Sequence, residues 1–95
     1  MIYLNVLLNV QQVGNIEQVR ALLQHMAIAS RAEPGCERFE VYHSHNEPAV
    51  FLLVERWATQ AALDQHRLAK AFREHYTPLV LPLVDRVAHP SDLVE

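Results

Sequence analysis

EPGCERFEVYHSHNEPAVFLLVERW, residues 33–57, holds two strand patterns between two turns. Pro34-Gly35 is turn chemistry, because proline pre-sets one φ and glycine tolerates the other. After it, Phe39, Val41, His43 and His45 alternate with Arg38, Glu40, Tyr42 and Ser44, a period of two that marks a strand. Asn46-Glu47-Pro48 is a second turn, and AVFLLVERW is apolar over most of its length, as expected of a strand covered on both sides. The stretch therefore predicts a β-hairpin.

Working outward, MIYLNVLLNV alternates as well. Ile2, Leu4, Val6, Leu8 and Val10 form one apolar face, and Tyr3, Asn5, Leu7 and Asn9 the other. Between that strand and the hairpin, residues 15–33 read as a helix. Asn15 stands at the N-cap with Gln18 at capping-box spacing, and Val19, Leu22, Leu23, Met26 and Ser30 recur at three and four. Beyond the hairpin, Thr59 caps a second helix that carries on toward Val80, with Pro78 as a kink or stop. LPLVDRVAH is the last strand, and PSDLVE a tail. The order β-α-β-β-α-β over a single domain, residues 1–95, predicts an α+β ferredoxin-like sandwich: a split β-α-β with a four-stranded antiparallel sheet and helices on one face.

Composition constrains the partners. Of 95 residues 51% are hydrophobic and only two are glycine, more apolar material than a monomer this small easily hides. The uncovered sheet face needs a cover, most simply a second copy, which predicts a homodimer through that face. The net charge of −3 comes without a basic stripe, which argues against nucleic acid. No leader and no run long enough to span a bilayer is expected, so neither is a membrane partner. One cysteine, Cys36, excludes an internal disulfide framework and fits a reducing cytoplasm. With only Arg38 as a basic neighbour, it reads as an inert thiol.

The hairpin also resembles that of the antibiotic biosynthesis monooxygenase domain family. The shared pattern is Glu33-Pro34-Gly35-Cys36, an alternating strand, a short acidic loop, and an apolar strand ending in Glu55-x-Trp57, followed by Ala62-Leu63-x-x-His66. The likeness covers nearly the whole chain. It implies a dimeric α/β barrel. Members of the family include cofactor-free monooxygenases of quinols and polyphenolic compounds, heme-degrading enzymes, and an isomerase of a phosphorylated signalling molecule. Two departures stand out. Many members carry a second histidine four residues after the first, where this chain has Lys70. The three heme-degrading positions fall on Leu7, His66 and Tyr76, which does not support heme degradation.

The chemistry then centres on His66. A histidine titrates near neutrality and can take a proton from a phenolic substrate. Oxygenation without a cofactor needs little more than such a base and dry apolar walls. Against this stands the plainer reading of a helix-end histidine bonded to nearby backbone. Trp57, Phe72 and Tyr76 are candidate walls, with Leu79 on the same stripe, and each could equally be core. Asn5 is a candidate polar contact, toward a substrate if its face is covered and toward a second subunit if it is not. His43 is a candidate cavity wall, although with His45 it could also lie at a solvated hairpin end. Glu55 is costly to bury unpaired, so an arginine such as Arg86, or a partner's Arg56, is expected beside it. His66 and His75 are nine residues apart, roughly 180° around a continuous helix at about 100° per residue, so no metal pair is expected unless the helix breaks near residues 68–70. No phosphate-binding glycine loop, dinucleotide fingerprint or serine triad is present. The reading is a cofactor-independent monooxygenase of a small quinol-like or polyphenolic aromatic. Its rivals are a non-catalytic ligand-binding or assembly domain, in which side chains fill the interior, and an isomerase using the same base.

Overall fold

A computed structural model describes residues Met1–Glu95. Strand β1 (Ile2–Val10) leads through a short tight turn at Val13–Asn15 into helix α1 (Ile16–Arg31). Strands β2 (Cys36–His43) and β3 (Val50–Trp57) form the hairpin. Helices α2 (Gln60–Leu68) and α3 (Ala71–Val80) follow, then a single turn at Leu81–Leu83 and strand β4 (Val84–Ser91). The sheet order is β2-β3-β1-β4, antiparallel throughout, with the helices on one face. This is the ferredoxin-like α+β fold that the alternations predict. No helix is long and apolar enough to cross a membrane.

The core lies between that face and the helices. Leu4, Val6, Leu8 and Val10 of β1, Phe51, Leu53 and Trp57 of β3, and Val19, Leu23 and Met26 of α1 are all buried. Period two on the strands and period 3.6 on α1 bring these side chains to one layer. The sheet's other face carries Asn5, Leu7, Leu52 and Val87 and is exposed in the single chain. Within the single chain β3, expected to be covered on both sides, is covered on one.

Three local features set the hairpin against α2. Gly35 adopts φ +80°, and a Cβ there would stand 2.5 Å from the Cβ of Ala62. The α1–β2 turn therefore sits directly on α2, and the Ala58 N–H donates to the Gly35 carbonyl at 2.8 Å. A bulge between Cys36 and Arg38 absorbs Glu37, so that Phe39 pairs with Glu55 on the helix side. Thr59 caps α2, its hydroxyl accepting from the Ala62 N–H at 3.1 Å.

Elsewhere the structure departs from the pattern. Asn15 stands at the N-cap of α1, but its side chain makes no capping bond. The second helix breaks at Ala69, which is extended (φ −71°, ψ 158°), and not at Pro78. Pro78 lies inside α3, which is wound wide: the Leu81 N–H reaches back five residues to the Tyr76 carbonyl. A proline cannot supply an ordinary helical N–H, and wide winding is one way a helix accommodates an irregularity. The same winding moves Leu79 off the Phe72–Tyr76 stripe, leaving it 42% exposed, and Val80 takes the inner position. The residues read as a tail begin too early: Pro90 and Ser91 pair with Leu4 and Tyr3. Proline is tolerated there because β4 is an edge strand.

Candidate functional site

His66 ends α2 pointing inward and is 2% exposed. Its ring lies 4.5 Å from Trp57, 5.3 Å from Phe72 and 5.7 Å from Phe39, centroid to centroid. Phe72 in turn packs against Tyr76 at 5.1 Å. The break at Ala69 turns the chain between His66 and Phe72, which meets the ring with Tyr76 packed beyond it. Behind His66 there is thus an aromatic wall. In front of it is an open cleft of about 580 Å3, bounded by the Glu33–Gly35 turn, α2 and the break.

Glu33, at the end of that turn, places Oε1 2.6 Å from His66 Nδ1. A carboxylate only accepts, so Nδ1 carries the proton and donates. Nε2 then holds a lone pair. It has no hydrogen-bond partner in the protein and is not among the sealed, unpartnered polar atoms, which are Ser30 Oγ and Arg56 Nε. Burial lowers the His66 pKa below the ordinary imidazole value, and the bond to Glu33 opposes this only in part. The result is a neutral imidazole in a fixed tautomer, on a residue that lines the cleft and with Nε2 unpartnered, which are features a general base requires.

A second polar pair lies deeper. Glu55 is buried and accepts from Trp57 Nε1 at 3.0 Å. Burial pushes its carboxyl up to about 6, with the Trp57 bond and the charge of Arg86 pulling the other way. Arg86, an arginine expected beside Glu55, is near enough for its charge to act on that carboxyl, but its hydrogen bond goes to Tyr76, Nε donating to Oη at 3.0 Å. Burial raises the Tyr76 phenol, and Arg86 opposes it. Burial likewise raises the Cys36 thiol, helped by Glu33 and Glu55, which leaves it a poor nucleophile.

The structure therefore brings His66, Trp57, Phe72 and Tyr76 together. Asn5 is elsewhere, on the exposed sheet face, where its Nδ2 donates to Ser91 Oγ at 3.1 Å. His43 is also separate. It stacks on Phe51 at 4.1 Å beside α1, with its ring nitrogens bonded to Pro48 and Arg20. His75 meets His25 edge-on at 5.1 Å and has no contact with His66. No three side chains among His, Cys, Asp and Glu converge as a metal-ligand set. Glu33 and Phe39 were not singled out from the sequence. The available signal for Glu33 was its place in a turn fixed against α2 by Gly35.

The family model for antibiotic biosynthesis monooxygenase matches residues 1–77. The Mycobacterium tuberculosis protein named "Putative monooxygenase Rv0793" is 41% identical over 49 residues, 52% of this chain and 48% of that protein, so the chain spans about half the length of that curated relative in the match. Its solved structure superposes over 100% of both chains at TM-score 0.80 and 25% identity. A crystal structure of an antibiotic biosynthesis monooxygenase, 23% identical, covers 98% of this chain and 99% of its own at TM-score 0.86. The Pseudomonas aeruginosa protein PA3566, 19% identical, reaches TM-score 0.87 over 99% of this chain and 95% of its own. The last two likenesses establish the fold alone.

Proposed function

The chain belongs to the antibiotic biosynthesis monooxygenase family, and from that premise we propose that it is a cytoplasmic, cofactor-independent monooxygenase of a small quinol-like or polyphenolic aromatic. The observation that carries this is the Glu33–His66 pair, with Nε2 left basic at the edge of a cleft. His66 takes the phenolic proton, and the resulting anion is electron-rich enough to reduce dioxygen. One oxygen atom enters the ring and the other leaves as water with two hydrogens from the substrate, so no external reductant is consumed. Trp57, Phe72 and Tyr76 form the apolar wall that keeps the base neutral. A homodimer through the exposed sheet face would cover Leu7, Leu52 and Val87, and would place Asn5 at the subunit interface.

Oxygen uptake with a panel of hydroquinones and polyphenols tests this directly. Turnover that His66→Ala removes supports it, and turnover unchanged in that variant refutes the assignment of the base.

One observation favours a second reading. The interior between helices and sheet is filled, with Trp57 0% exposed and Tyr76 1%. A filled interior suits a non-catalytic binding or assembly domain, with the cleft as its ligand site. Binding of the same aromatics without oxygen uptake would favour it.

A further inference from the structure

A second groove, of about 340 Å3, runs between α1 and the edge strand β2, and it shares no residue with the cleft at His66. Arg20 and Arg31 stand at its two ends. They are eleven residues apart on α1, roughly 16 Å along the axis and close to the same side of the helix. Between them lie Ala27 and Ile28 from α1 and Val41 and Phe51 from the sheet, with Gln24 as the other polar group. No carboxylate lines the groove, and neither arginine is in an ion pair.

Each guanidinium instead donates to one neutral acceptor, and Arg31 also borders a neighbouring recess where its charge acts on Glu40. Arg20 Nη1 donates to His43 Nδ1 at 3.1 Å, while His43 Nε2 donates to the Pro48 carbonyl at 2.7 Å. Those two bonds together require the neutral imidazole with its lone pair toward Arg20, so His43 acts as a positioning residue. Arg31 Nε donates to the Phe39 carbonyl at 2.9 Å. The remaining N–H groups of both forks have no partner in the protein. A planar guanidinium held in place with free donors suits a carboxylate or similar anion. His43 and Phe39, the two anchors, are four residues apart on β2, which separates the forks by roughly 13 Å.

We propose that this groove binds a small elongated dianion, with an anionic group at each end and an apolar middle, of the class of a medium-chain α,ω-dicarboxylate. The charged ends meet Arg20 and Arg31, and the methylene chain lies over Ile28 and Val41. The site is independent of the proposed oxygenation.

Nonanedioate serves as the probe, titrated calorimetrically into the full chain at low ionic strength, with amide chemical-shift mapping of the same titration. The expected result is saturable binding with shifts clustered on α1 and β2. Affinity should fall about tenfold or more in Arg20→Gln and in Arg31→Gln, the loss of one charged hydrogen-bonding end. Arg73→Gln should leave it unchanged. Nonanoate, with one charged end, and butanedioate, too short for both forks, should bind correspondingly more weakly. Absence of saturable binding overturns the proposal. So does binding that survives both substitutions, equal binding of butanedioate or inorganic phosphate, or shifts centred on the Glu33–Ala69 cleft. Both arginines are exposed, so their substitution leaves the core intact.

Discussion

His66 Nδ1 lies 2.6 Å from Glu33 Oε1, although 33 residues of chain separate the two. The contact fixes the tautomer of a buried ring whose other nitrogen is free. Replacing His66 with alanine should lower turnover by about 10²- to 10⁴-fold, the usual worth of a general base. Glu33→Gln should lower it less, since the base remains.

The pH dependence separates these roles. His66 must be neutral to act, and burial holds its pKa below the ordinary value, so the acid limb of kcat/KM should fall below that value. Glu33 raises the His66 pKa, so Glu33→Gln should move the limb further to acid. Trp57 is the only tryptophan and lies against the His66 ring, so a fluorescence titration of the free protein carrying Glu55→Gln, which removes the titrating partner of Trp57 Nε1, should show the same midpoint and the same shift. A limb that stays put in Glu33→Gln would mean that another group titrates.

Glu55 makes a separate prediction about stability. Its folded pKa is raised to about 6 from 4.5, so the folded state holds the proton longer than the unfolded one. Stability should therefore be lost as pH rises from about 4.5 through about 6, by about 2 kcal/mol. Glu55→Gln keeps an oxygen for Trp57 Nε1 and has no charge to bury. Urea unfolding should show the variant gaining that amount relative to the parent between pH 4 and pH 7.5. His66 works in the opposite sense: with its folded pKa lowered, stability is lost as pH falls below the ordinary histidine value. The difference between parent and variant isolates Glu55.

Gly35→Ala should be disabling twice over. The left-handed backbone alone costs about 1–2 kcal/mol for an L side chain. The added Cβ would also meet Ala62 at 2.5 Å, so the turn must lift from α2. Glu33 moves with the turn. A lower Tm accompanied by loss of the Glu33-dependent shift in the His66 titration is the expected signature.

For the dimer, Val87→Glu is the informative change, because Val87 is 52% exposed on the open sheet face, paired with Leu7. Light scattering after gel filtration should give a dimer for the parent and a monomer of unchanged helical signal for the variant. A monomeric parent would leave the apolar sheet face unexplained by self-association.

Much of the fold was legible because its signals are local. The alternation of Leu4, Val6 and Leu8, the turn at Pro34-Gly35 and the cap at Thr59 each act within a few residues. The site was legible only in part. His66 and its aromatic wall could be named by residue type and by likeness to a family. Glu33 could be named only as part of the shared turn pattern, since its bond to His66 is a long-range contact. The break at Ala69 was open in the sequence only as an alternative near residues 68–70, because alanine favours a helix and tertiary packing overrides that preference. Which face Asn5 takes depends on where the helices pack, which alternation alone leaves open.

That break at Ala69 divides labour between two rigid pieces. α2 is anchored by the Thr59 cap and the Gly35 contact, and it holds the base. α3, wide-wound and interrupted by Pro78, holds most of the wall. The Glu33–His66 contact is made entirely by α2 and the turn before β2, so a change within α3 leaves both of its partners in place. The apolar packing around the imidazole and the hydrogen bond that orients it are thus supplied by different segments of the chain.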